Sequence, residues 1–301
     1  MSRIPSIAQE GSGAGIDGRT LAVSVLLYGA VAAVFIVLGV GSVRMRRWVR
    51  PIALFIVWTW LMFGVVAVIF TVLFLPEIRE AAGATAEASA IGAGSGEGAA
   101  ASRLYPLIAV LAVGLTAALH VLTPAMFLLF YRRENVRLTL ESHDPRPAWT
   151  DRCPPRVLGL SLGLWLGAAC CLPGLPYAVL PAFGVILTGP AAVAAILLLA
   201  AALVWLGLEA YRMKMSGWWG TLVLSVVLPV AGLLTLMFHD PAEIYASMGV
   251  AAGQLEGIRG SAAFGRPSAV VATAAIGALG VFYVVWIRRE FAAPPGGRPT
   301  E

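Results

Sequence analysis

His120 is the one ionisable residue lying well inside an apolar run of this chain, so any intramembrane chemistry would start there. A histidine at such depth can ligate haem, relay a proton or hydrogen-bond a neighbouring helix. Two-histidine haem ligation needs a partner at matching depth, and His239 stands near the end of its own run. The expectation is therefore a neutral imidazole hydrogen-bonded across to a neighbour, for example to Thr123 or to a carbonyl freed by Pro124. Glu209 closes another apolar run one turn before Arg212, a spacing that predicts an interfacial ion pair rather than a proton relay. Zinc requires three or four ligands, and His143 with Cys153 and nearby acids form no paired motif. Adjacent Cys170 and Cys171 point about 100° apart on a helix, so they are read as small apolar fillers. No nucleophile elbow, zinc-protease, Walker or dinucleotide signature stands in a usable context, and the last apolar run has no lysine for a retinal Schiff base. No catalytic residue, metal or other cofactor is expected.

The composition explains why so little chemistry is visible. With 59% apolar and 12% charged residues and a mean hydropathy of +0.85, 301 residues cannot cover a soluble globule with polar groups. The fold class expected is an all-α polytopic bundle integral to a membrane. A net charge of +5 does not indicate nucleic acid, because the arginines sit in short loops beside apolar runs. The lipid bilayer is the partner that the composition demands.

Seven apolar runs can be counted, at about 21–40, 52–75, 104–130, 157–172, 184–208, 218–238 and 269–287. The arm 1–19 and the tail 290–301 are Gly-, Ser- or Pro-rich and read as disordered, as does the Ala/Gly/Ser tract at 76–103. Asp151 is expected to cap the fourth run with Pro154 and Pro155 in its first turn. Gly159, Gly163 and Gly167 recur four apart on that run, a pattern that lets another backbone approach closely. The four prolines between Pro173 and Pro190 predict an irregular turn at the membrane edge. In the loop 239–268, Asp240, Pro241 and Glu243 predict the start of a short surface helix to about Leu255, with Glu243 reaching back to the cap. Trp60, Trp218, Trp219 and Trp286 lie near run ends, as interfacial anchors do.

Seven spans put the termini on opposite sides. The loops at 41–51, 131–156 and 209–217 together with the tail carry fifteen Lys or Arg, and the other connections with the amino-terminal arm carry six. By the positive-inside tendency the first set is cytoplasmic, which leaves the amino terminus outside and the carboxyl terminus inside.

The segment Tyr131 to Arg156 is the longest polar interruption and holds six arginines. Arg132 and Arg133 are expected to hold the third helix at the headgroups, and Arg152 and Arg156 the fourth, with Trp149 at the interface. Val136, Leu138 and Leu140 alternate with polar residues, so one edge can pack on the membrane face of the protein. The order Asn135-Val136-Arg137-x-Thr139-x-Glu141-x-x-Asp144-Pro145, then Trp149-Thr150-Asp151-Arg152-Cys153-Pro154, resembles a loop recurring in uncharacterised bacterial multi-pass inner-membrane proteins. The resemblance implies a bacterial inner-membrane location and no mechanism.

The function expected is that of a non-catalytic structural, assembly or interaction component, meeting another membrane protein or a cytoplasmic partner through 131–156. Solute transport is the alternative, on the prolines within the third, fifth and sixth segments. A membrane enzyme or haem protein built on His120 is the third reading.

Overall fold

The structure is a computed structural model in which residues 18–73, 114–250 and 265–292, with residues 111 and 255, are described. The expectations for the arm up to residue 17, the loop 76–103, the start of the third run, most of 251–264 and the tail from 293 fall outside the described residues.

The chain is an all-α polytopic bundle, and among the described residues seven helices are long and apolar enough to cross a membrane. They are α1 (Gly18–Val43), α2 (Val49–Leu73), α3 (Gly114–Arg132), α5 (Pro155–Cys171), α6 (Gly189–Tyr211), α7 (Met215–Phe238) and α9 (Arg266–Trp286). Three short helices join them: α4 (Glu134–His143), α8 (Pro241–Ser247) and α10 (Arg288–Ala292). The C-terminal helices α5, α6, α7 and α9 share one core, in which Val157, Leu160, Leu206, Trp218 and Val284 are buried. On the amino-terminal side α2 packs on α3, while only 6% of the apolar stretch of α1 is buried against 33% for α5 and α6. Leu26 and Tyr28 of α1 are more than 70% exposed, surface that is stable only against hydrocarbon or another helix.

Close helix approach occurs elsewhere than at the expected glycines. A methyl group at Gly163 or Gly167 would meet only side chains, Phe55 at 3.9 Å and Leu203 at 3.7 Å, and one at Gly159 would meet the Tyr283 hydroxyl at 3.3 Å. At Gly64 it would overlap the backbone of His120, and at Gly217 the backbone of Ala210 at 2.5 Å. The four-residue repeat on α5 therefore forms the floor of a groove rather than a backbone contact. Trp218 also departs from expectation: it is 3% exposed and its Nε1 donates to the Val284 carbonyl at 2.8 Å, which makes it a core residue.

Asp151 does not cap α5. That helix starts at Pro155 behind Pro154, while the Asp151 carboxylate accepts from the Ala148 N–H at 2.8 Å across the short 3-10 turn Trp149–Asp151. Arg152, Cys153 and Pro154 stand between Asp151 and the first helical residue, Pro155, so its side chain closes the preceding turn instead.

The proline-rich stretch is a 3-10 turn, Leu172–Tyr177, followed by a hairpin of β1 (Val179–Ala182) and β2 (Val185–Thr188). Ala182 pairs with Val185 across Phe183 and Gly184, both at positive φ, the geometry of a two-residue type I′ turn. The next pair, Pro181 with Ile186, then falls at a non-hydrogen-bonded position, where a missing N–H costs nothing. The hairpin satisfies much of its own backbone, as a turn near lipid requires. It sits where α5 ends and α7 ends: the Gly184 N–H donates to Thr235 Oγ1 at 3.2 Å, and His239 Nε2 lies 3.2 Å from the Gly184 carbonyl. So α5 does run the length of the bundle. Asp240 caps α8 by accepting from the Ala242 N–H at 3.0 Å, but Glu243 pairs with His239 at 2.9 Å rather than reaching back to the cap, and the helix ends at Ser247.

Candidate functional site

At the opposite end of the bundle the four arginine-bearing segments meet. The turn between α1 and α2 brings Arg46 and Arg47 against the 131–156 segment, with Arg47 at the centre. Its Nε is 3.0 Å from Asp151 Oδ2, its Nη2 is 3.7 Å from Glu141 Oε1, and its backbone N–H donates to Asp144 Oδ2 at 3.4 Å. Arg46 Nη1 adds a contact of 3.6 Å to Asp144. Arg137 lies between Glu134 at 2.6 Å and Glu141 at 3.7 Å on α4. Arg50 Nε donates to the Tyr131 carbonyl at 3.0 Å, at the carboxyl end of α3 where carbonyls lack helical donors.

This segment forms α4 because Val136 and Leu140 are one helical turn apart, and Leu140 is buried while Leu138 is 52% exposed. The alternation read as an extended edge is thus a helical face with one apolar turn. From the other side the Tyr211 hydroxyl, at the end of α6, donates to the Trp149 carbonyl at 2.8 Å, and the two rings lie 6.2 Å apart. Trp149 is fixed by α6 and is 40% exposed. Arg156 meets Glu290 of α10 at 3.3 Å and stacks over the Trp286 ring at 4.5 Å.

Arg132, Arg133, Arg146 and Arg152 are exposed, and none forms an ion pair among the described residues. The platform is therefore neutralised internally around Arg47 and keeps a guanidinium fringe. Individual surface pairs contribute only about 0–1 kcal/mol, so the effect of the network is to fix geometry more than to add stability. No family model, curated protein or solved structure matches this chain.

Glu209 is held in the turn between α6 and α7. Its Oε1 accepts from Lys214 Nζ at 2.8 Å and its Oε2 from Ser216 Oγ at 2.8 Å, and Arg212, the expected ion-pair partner, adds a looser contact to Oε1 at 3.9 Å. Both carboxylate oxygens are engaged in closing a helical hairpin. His120 is exposed, in a single π-helical turn Ala118–Leu122, and its Nδ1 faces the Thr116 carbonyl of its own helix at 3.1 Å. Across the helix boundary it meets the edge of Trp60 at 6.5 Å between ring centres. Thr123 hydrogen-bonds the Ala118 carbonyl at 3.1 Å instead of His120. No group of three or more His, Cys, Asp or Glu side chains converges among the described residues. Cys170 and Cys171, adjacent on α5, are not joined to each other or to any other described cysteine.

Sequence reasoning found Arg132, Arg133, Trp149, Asp151 and Arg152 as members of one loop and missed Arg47, which organises it. Arg47 belongs to a run of arginines alike in local context, and its Asp144 partner lies 97 residues further along the chain.

Proposed function

We propose that this multi-pass membrane protein is a non-catalytic structural or assembly component of a bacterial inner membrane, with 131–156 as its docking platform on the cytoplasmic side. The observation that carries this reading is the clamp around Arg47: the longest polar segment is tied to α1–α2 and to α6, yet leaves Arg132, Arg133, Arg146 and Arg152 without an ion pair among the described residues. Ordering a surface before binding reduces the entropy lost on association, and exposed arginines select acidic partners and speed their encounter. The partner chemistry is therefore an acidic segment of another membrane protein or of a cytoplasmic protein. The likeness of the Asn135–Pro154 loop to those of uncharacterised bacterial inner-membrane proteins supports the location, and the arginine distribution supports the sidedness.

The test is affinity purification of the full chain from membranes, compared with a variant in which those four arginines are changed to glutamate. A protein that co-purifies stoichiometrically with the native chain and is lost from the variant, at equal membrane content, is the expected result. An unchanged set of co-purifying proteins would refute the platform.

A further inference from the structure

A groove of about 220 Å³ lies between α5, α7 and α9. Gly159 and Gly163 form its floor, Leu164, Val284, Thr221 and Ser225 its walls, and Gly163 is exposed at its opening. Phe55 of α2 approaches both glycines, so the groove follows the seam between the amino-terminal and C-terminal helices.

We propose that this groove holds an acyl chain of an anionic phospholipid whose headgroup phosphate rests on Arg156. The hydroxyls in the groove are already committed: Thr221 donates to the Gly217 carbonyl at 2.7 Å, Ser225 to Thr221 at 2.8 Å, and Tyr283 to Arg156 at 2.8 Å. What remains facing the cavity is mostly hydrocarbon, which selects a hydrocarbon occupant. The rim has the opposite character. Arg156 precedes Gly159 by one turn, is 55% exposed, and uses Nη1 toward Glu290, which leaves further guanidinium donors for a phosphate. Trp286 lies beneath the guanidinium and Tyr283 beside Trp286 at 6.1 Å, an aromatic rim at headgroup depth. A basic site between helices at that depth, opening on an apolar slot, matches both parts of an anionic lipid. Arg156 closes the 131–156 segment but is not one of the four arginines assigned to protein docking, so the two readings are tested by different substitutions.

The experiment is native mass spectrometry of the full chain extracted from vesicles of equimolar phosphatidylglycerol and phosphatidylcholine. Retention of phosphatidylglycerol should exceed that of phosphatidylcholine by about fivefold, the effect of one arginine at a membrane surface. Arg156→Gln should bring the ratio near one, and Glu290→Gln, which frees Arg156, should raise it. Gly163→Leu fills the slot and should lose both lipids while melting like the native chain. If that variant does not fold, Gly280→Leu enters the slot from α9, and the two rim variants still decide the headgroup site. Equal retention of the two lipids by the native chain would overturn the proposal. So would a folded Gly163→Leu chain with its lipid complement intact, or a dimer mass lost in that variant, which would make a second copy the occupant.

Discussion

The carbonyl oxygen of His120 lies against the α-carbon of Gly64, so closely that a methyl group at residue 64 would overlap it. Pro124, four residues on, has no N–H to offer that carbonyl, and Thr123 turns both its N–H and its hydroxyl to Ala118. The His120 carbonyl, without an i+4 donor, faces α2 at its one glycine.

Gly64→Ala should therefore destabilise the protein by about 1–3 kcal/mol, the range for forcing extra volume into a packed contact. Gly163→Ala and Gly167→Ala, which meet only ordinary side-chain contacts, should be neutral or stabilising by up to about 1 kcal/mol. Unfolding in mixed micelles with increasing denaturing detergent measures all three. Equal losses at the three positions would mean that α5 does carry a backbone contact.

Arg47→Ala should loosen the 131–156 segment as a unit. The expected stability loss is about 1–2 kcal/mol for a networked arginine, falling with added salt. Limited proteolysis within 144–152 should quicken at the same time. A double-mutant cycle with Asp151→Ala should give a coupling of about 0.5–1 kcal/mol, whereas Arg132→Ala should show none with Asp151.

Glu209→Ala should weaken the α6–α7 hairpin more than Arg212→Ala does, because Lys214 and Ser216 both lose their acceptor. Thermal melting of the purified chain ranks the two variants. An unaltered melting point in Glu209→Ala with a specific loss of function would return that residue to the proton-relay reading.

Sidedness follows from single thiols in a chain whose native cysteines are replaced by alanine. Phe183→Cys, at the hairpin tip, should react with a membrane-impermeant maleimide in intact cells, and Leu138→Cys on α4 only after the membrane is opened. The reverse pattern would invert the orientation.

His120→Ala should change stability by no more than about 1 kcal/mol, the worth of its aromatic edge contact with Trp60. The purified native protein should show no Soret absorption. A haem band lost in the variant would restore the haem reading.

Residue types alone determined that this chain lives in hydrocarbon, how many helices cross it, and which segments belong together on one side, because burial in lipid is a property of composition over about twenty residues. Asp240 as a cap was legible for the same local reason, whereas the fifth run, read from residue 184, forms helix only from Gly189 because 185–188 pairs as a strand. Tertiary structure decided the rest. Arg47 rather than Arg44 or Arg46 centres the platform because only the packing of α2 on α3 sets it opposite Asp144 and Asp151. Lys214 comes closer to Glu209 than Arg212 does because the backbone reverses between them. Phe183 and Gly184 adopt a turn because β1 and β2 pair, which neither strand signals by itself through four prolines. Gly64 became the contact glycine because the packing of α2 on α3 brings the His120 backbone, remote in the chain, against it. Each of these depends on where two distant backbones meet, and no local pattern encodes a distance between segments that are remote in the chain.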